Sequence, residues 1–279
     1  MEKVVLAFSG GLDTSFCTKY LSEDKGYEVH TVIVNTGGFN KDELVQIEKK
    51  AYEYGSSLHI AIDATQSYYK NCLKYLIFGN VLRNRNYPLS VSSERSFQAM
   101  EVIKYAQKGN ISIMAHGSTG AGNDQVRFES IARVLSPEIE VLAPIRDLSI
   151  SREKEIEYLK SKGLEYIAEK AKYSINKGLW GTSVGGEETL SSHKELPEEA
   201  FLDPLSKTGT EIISIEFLKG EPIKLNEVEY ENKIELISDL EKIAAPYAIG
   251  RDIHVGETII GIKGRVGFQA AAALIMIDS

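Results

Sequence analysis

The first half of the chain alternates short β-branched runs with amphipathic stretches, and few folds satisfy that pattern other than a parallel sheet covered by its connecting helices. The runs Val4 to Phe8, Val29 to Val34, Leu58 to Ile62, Ile111 to Ala115 and Val141 to Ala143 read as strands. Between them, Leu44, Ile47 and Ala51 recur at helical spacing before Gly55, and Phe97, Val102, Ile103 and Ala106 do so before Gly109. A further helix begins near Ser151, an N-cap with Glu153 in the first turn, and ends at Gly163. The reading is a doubly wound α/β domain over residues 1–167. From about Ala168 the pattern changes. Tyr173 to Glu188 is rich in Gly, Ser and Asn, and Glu211 to Leu225 reads as two strands around Lys219-Gly220-Glu221-Pro222. Val228 to Ala245 reads as one helix and Ile253 to Ile262 as a strand, which makes a second, α+β domain over residues 168–279.

Charge and cysteine usage exclude several classes of function. With 32 Lys and Arg against 40 Asp and Glu, the net charge of −8 disfavours nucleic acid as a partner. Cys17 and Cys72 form no C-x-x-C pair, so neither a disulfide framework nor a cysteine metal site is expected, and a reducing compartment fits. The apolar start is too short for a signal segment, and the longest apolar run, Ala270 to Ile277, falls far short of the roughly 20 residues that span a membrane. A cytoplasmic protein is expected.

Two motifs carry chemistry. Ser9-Gly10-Gly11-Leu12-Asp13-Thr14-Ser15 lies between the first strand and a helix whose apolar face is Phe16, Cys17, Tyr20 and Leu21. Two glycines let backbone N–H groups close on an anion, and the helix start adds its dipole and free amides. Ser9, Thr14 and Ser15 can add hydroxyl donors, whereas the Lys of a G-x-x-x-x-G-K-[ST] loop and the third glycine of a dinucleotide fingerprint are missing. The plainer alternative is a glycine turn after a strand. The second motif, His116-Gly117-Ser118-Thr119-Gly120-Ala121-Gly122-Asn123-Asp124-Gln125-Val126-Arg127-Phe128-Glu129, gathers a carboxylate, an amide and a guanidinium around an anion-friendly turn, a set that suits an amino acid. In the alternative, Asn123 and Asp124 only cap the helix and Arg127 is a surface charge. His59 and His254 read as structural, Cys17 as core-facing, and Trp180 as a packing anchor.

The first motif resembles the pyrophosphate loop of the ATP pyrophosphatases, and with Thr14 before Ser15 it is similar to that of argininosuccinate synthases. The second resembles that family's signature, which usually has Lys where this chain has Ala121. Tyr87-Pro88-Leu89-Ser90-Val91-Ser92-Ser93-Glu94-Arg95 resembles the segment whose Tyr and Ser contact citrulline. Tyr173-Ser174 through Ser183 to Glu187 resembles the segment supplying two more serines, and Gly250 to Phe268 resembles a degraded end of the synthetase domain. The resemblance covers the whole chain, and family members continue past the equivalent of Ser279 into a helix that helps assemble a tetramer.

The resemblance implies that the first domain binds ATP through Ala7, Phe8, Ser9, Gly10, Gly11, Leu12, Asp13, Thr14, Ser15, Val34, Thr36 and Gly117. It assigns aspartate to Thr119, Asn123 and Asp124, and citrulline to Tyr87, Ser92, Asn123, Arg127, Ser174 and Ser183. Asp13, Asp124 and Arg127 carry the catalytic roles. In such enzymes the ureido oxygen attacks the α-phosphorus, pyrophosphate leaves with Mg2+, and the aspartate amine displaces AMP. A homo-oligomer is implied. Where the family places a Glu and a Tyr around the citrulline backbone, this chain has Gly256 and Phe268. An uncompensated α-ammonium there is costly, so an acyl-group pocket accepting N-acetyl- or N-succinylcitrulline is expected. The alternative is a one-residue offset in which Glu257 takes the carboxylate's role. The rival functions are a non-catalytic nucleotide-binding paralogue and another synthetase with the same loop.

Overall fold

The computed structural model describes residues 1–120, 122–165, 173–258, 261 and 263–279. Strands β1 (Lys3–Ala7), β2 (Glu28–Asn35), β3 (Leu58–Asp63), β4 (Ile113–His116) and β5 (Glu140–Leu142) form one sheet in the order β3-β2-β1-β4-β5, every pair parallel. All five expected strands are present, with ends moved by one or two residues. Central β1 buries Val4 and Leu6 against one layer of helices and Val5 against the other, which is why its sequence runs apolar instead of alternating. The chain winds outward from β1 to β3 and then returns to β4 on the other side of β1. The crevice at the carboxyl ends of a doubly wound sheet opens at such a reversal.

The helices that matter to the site are α1 (Leu12–Lys19), α2 (Lys41–Glu53), α3 (Ser90–Lys108), α4 (Asp124–Leu135) and α5 (Arg152–Ser161). Helix α2 starts in a capping box: Asn40 Oδ1 accepts the Glu43 N–H at 2.9 Å and Glu43 Oε2 accepts the Asn40 N–H at 2.7 Å. Ser151 caps α5, as its sequence position suggests.

In the second half, β6 (Tyr173–Asn176) and β7 (Thr182–Gly186) join a four-stranded sheet, while β8 (Ile215–Leu218), β9 (Glu221–Leu225) and β10 (Val228–Glu229) form a smaller one. Lys219 and Gly220, both at positive φ, make the tight β8–β9 turn. The single helix expected over Val228 to Ala245 is divided. Val228 pairs with Leu225 as a strand, and α6 (Lys233–Ala244) begins only after Asn232, whose side chain accepts the Ile234 N–H at 3.0 Å. The cap outweighs the apolar periodicity on either side of it. β11 (Arg251–Glu257) and β12 (Lys263–Gln269) complete the larger sheet in the order β11-β12-β7-β6. Residues 259, 260 and 262 of the expected long strand lie outside the described residues, as do Ala121 and the boundary expected at 167/168.

The apolar run near the end forms α7 (Ala271–Asp278), packed in one core with α6. That core also takes Phe97 of α3 and the single tryptophan, Trp180, whose indole N–H donates to Pro88 O at 2.9 Å. Among the described residues no helix is long and apolar enough to cross a membrane.

Candidate functional site

β1 and β4 end side by side, Ala7 opposite His116, so the two motif loops leave the sheet together. In the first loop the Ser9 N–H points to Thr14 Oγ1 at 3.4 Å, and the Thr14 hydroxyl donates to Gly11 O at 3.2 Å. Gly11 begins α1 without a side-chain capping bond, which keeps the first amides of the helix available to an anion. Ser15 is fully buried, and its hydroxyl finds no hydrogen-bond partner among the described residues. Gly117 is where the loops meet. A Cβ there would lie 3.2 Å from Thr14 Cγ2 and 3.3 Å from the Asp13 carbonyl carbon and Cβ.

A cleft of about 1320 Å³ opens over this junction. Its described lining includes Ala7, Phe8, Ser9, Gly11, Leu12, Asp13, Thr14 and Val34 from the expected ATP contacts. Gly117, Thr119 and Asp124 of the second motif and Ser174 of β6 line it too. Tyr87, Ser92, Asn123, Arg127, Ser183, Gly10, Ser15 and Thr36 are not among its lining residues.

Asp13, in the cleft lining, faces a second carboxyl, that of Glu155 on α5. Burial raises Asp13, against the pull of the Arg152 guanidinium, and burial together with the Asp13 charge raises Glu155, which is almost fully enclosed. Arg152, the first residue of α5, lines the cleft and faces both electrostatically. His116 is held down to about 4 by burial, with Arg146 adding to the effect, and is therefore neutral at pH 7.

The part of the cleft lined by Asp124 is organised by Arg95. Asp124 lies between two guanidiniums, 2.5 Å from Arg127 Nη1 and 3.4 Å from Arg95 Nε. Arg95 Nη2 donates to Asn176 Oδ1 at 2.7 Å, and Asn176 Nδ2 donates to Ser183 Oγ at 3.4 Å. One polar chain thus runs from α4 through α3 to β6 and β7. Asn123 occupies the N-cap position of α4 but makes no side-chain capping bond. The Tyr87 hydroxyl accepts the Val91 N–H at 3.2 Å, so it caps α3, while its ring stacks on His254 at 4.7 Å. Ser92 donates to Leu89 O at 3.3 Å.

Gly256 and Phe268 are not brought together. Phe268 pairs with Asp252 and Gly256 with Gly264, four ladder positions or about 13 Å apart. Phe268 is fully buried edge-on to Tyr87, and Gly256 borders a separate hollow of about 270 Å³ with Arg83, Asn84 and Glu257. The expected histidines are structural in their contacts, His59 bonding Thr31 Oγ1 through Nδ1 at 2.8 Å, and Cys17 is buried.

Reasoning from sequence left Arg95, Arg152, Glu155 and Glu94 without roles. Arg95 and Glu94 sit inside a quoted motif, but their chemistry depends on Asn176, Asp124 and Thr36, which are distant along the chain. Arg152 directly follows the recognised cap, yet nothing local says that α5 packs on α1 beneath the loop.

Comparison with known proteins agrees with this geometry. Residues 3–165 match a family model described as the arginosuccinate synthase N-terminal HUP domain, and residues 173–279 match the arginosuccinate synthase C-terminal domain. The chain is 40% identical over 278 residues to an argininosuccinate synthase of Sulfurisphaera tokodaii, covering 99% of this chain and 70% of that protein. It is 38% identical to those of Methanocaldococcus jannaschii and Dictyoglomus turgidum, covering 100% of this chain and 71% and 70% of theirs.

Proposed function

The chain belongs to the argininosuccinate synthase family, and from that premise we propose that it uses ATP to join a citrulline-type ureido group to aspartate, releasing AMP and pyrophosphate. The observation that carries this reading is the contact of Gly117 with Thr14 and Asp13, which sets an anion loop and an amino-acid motif on one cleft.

In this reading the phosphates lie on the Ser9 to Ser15 loop and the first amides of α1, with Arg152 supplying the cation that the loop lacks. The ureido oxygen forms a bond to the α-phosphorus as the bond to the bridging oxygen breaks, and pyrophosphate carries away the charge. The aspartate amine then forms the new C–N bond, AMP departs, and the amine's proton passes to solvent. Asp124 pairs with the aspartate ammonium before that step, and Arg95 is placed to take a carboxylate. No side chain need form a covalent intermediate, so orientation and charge neutralisation supply the rate. Magnesium fits as an ion carried by the phosphates: among the described residues no three acidic, His or Cys groups gather to hold one unaided, and Asp13 is the loop's carboxylate that would face it.

For the acceptor, we favour N-acylcitrulline over citrulline, because Gly256 and Phe268 offer neither a carboxylate nor a hydroxyl to a free α-ammonium; Glu257, which lines the hollow beside Gly256 and Arg83, is the group that would serve free citrulline instead. Comparing kcat/KM for citrulline, N-acetylcitrulline and N-succinylcitrulline decides this, and a clear preference for free citrulline would remove it. Pyrophosphate release that requires ATP, aspartate and an acceptor together tests the reaction. Nucleotide binding with no such release would leave a non-catalytic binder.

A further inference from the structure

Glu94 is a buried carboxyl that the reaction does not use, and three elements converge on it. Its Oε1 accepts from the Thr36 hydroxyl at the end of β2. From α3, Gln98 Nε2 reaches both Val34 O and Thr36 Oγ1 at 3.4 Å, which ties the same turn to the same helix. From the other half of the molecule, Gly178 lies so close that a Cβ there would be 2.7 and 2.8 Å from the two carboxyl oxygens. The neighbouring contacts are equally tight. A Cβ on Gly38 would lie 2.2 Å from Lys177 O, and one on Gly37 would lie 2.6 Å from Leu179 Cβ. No chain with side chains at these positions could bring the two turns this near.

We propose that Glu94 is a positioning residue that clamps the Thr36 to Gly38 turn, on the nucleotide side, to the Lys177 to Leu179 segment that joins the strands bearing Ser174 and Ser183. The clamp couples occupancy of the ATP site to the shape of the acceptor site. This rests on the reading above for the identity of the two ligands.

Protonation sets the clamp's strength. Burial pushes Glu94 up to about 7, with the Thr36 hydrogen bond and Arg95 acting against it and Asp124 with it, and Tyr68 faces it from the helical turns before α3. The neutral carboxyl needs no counter-charge, so it tolerates the contact with Gly178. The ionised form seeks water or a cation and weakens the junction.

The test uses the full chain with Glu94→Gln, Glu94→Ala and Gly178→Ala. Binding of a non-hydrolysable ATP analogue is measured with and without citrulline or its N-acyl form, from pH 5.5 to 8.5, together with melting curves. The wild type should show mutual enhancement of binding that declines as pH rises through 7. Glu94→Gln should keep the enhancement across the range. Glu94→Ala and Gly178→Ala should lose it about tenfold, with KM rising for both ligands more than kcat falls. A Glu94→Gln variant that follows the wild-type pH profile, or a Glu94→Ala variant with full enhancement, would overturn the proposal. The melting curves read the clamp independently of ligand identity, since Glu94→Gln should exceed the wild type in Tm above pH 7 and match it near pH 5. A wild type without turnover would sink the reaction while leaving that comparison intact.

Discussion

At the scale of single residues, much of the site's logic is electrostatic. Asp124 lies between Arg95 and Arg127, so Asp124→Ala leaves two guanidiniums facing each other and, in the proposed reading, the aspartate ammonium unpaired. We expect KM for aspartate to rise at least tenfold while KM for ATP moves less than threefold; equal shifts in steady-state assays would displace Asp124 from this role. His116 and Glu94 should act oppositely on stability. His116 falls from its usual value to about 4 in the folded chain, so the unfolded chain binds more protons between about pH 6.5 and 4, and stability drops as pH falls through that window. Glu94 rises from its usual range to about 7, so the folded chain binds more protons between about pH 4.5 and 7, and stability drops as pH rises there. His116→Gln should therefore flatten the acid limb of a Tm profile and Glu94→Gln the neutral limb. Profiles unchanged in both variants would remove the two burial assignments. The glycine turn between β1 and α1 is legible at this scale because its residues are contiguous. Arg95 is not, because its partners Asn176 and Asp124 are brought to it only by folding.

At the scale of elements, capping decided what periodicity alone could not. Helix α2 was readable from Leu44, Ile47 and Ala51, and its reciprocal Asn40 and Glu43 bonds fix where it begins. Asn40→Ala should cost about 1 kcal/mol, and Glu43→Ala added to it should cost little more, since the two bonds form one box. Fully additive losses in denaturant titrations would show that the bonds act separately. Asn232 shows the converse. A stretch with helical apolar spacing was broken because an Asn side chain offered the backbone another partner and Val228 found a strand to pair with. In the second half strand pairing is antiparallel and the runs are short, so register was beyond what the sequence alone could supply. That is why Gly256 and Phe268, related by count along the chain, proved to lie four ladder positions apart.

At the scale of the whole molecule, the two halves share a core. Trp180 and Phe268 pack in one cluster with Phe97 of α3 and Leu236 of α6, and the indole N–H is bonded to Pro88 O. Tryptophan fluorescence and far-UV circular dichroism should therefore report a single coincident unfolding transition. Trp180→Phe, which strands a buried carbonyl and leaves a gap, should lower stability by about 2 kcal/mol. Two resolved transitions would mean that the halves melt independently.

The polar chain from Asp124 through Arg95 and Asn176 to Ser183 has a consequence for how such a protein could be recombined. A chimera spliced between residues 165 and 173 would take each half from a different relative and look conservative, yet it would cut this circuit at the Arg95–Asn176 bond, whose donor would come from one parent and acceptor from the other. The smallest heritable module for this site is a set of positions, 94, 95, 124, 176, 178 and 183, that must travel together across the splice. Gene fragments exchanged without that set would fold around a cleft whose two ends no longer speak to each other.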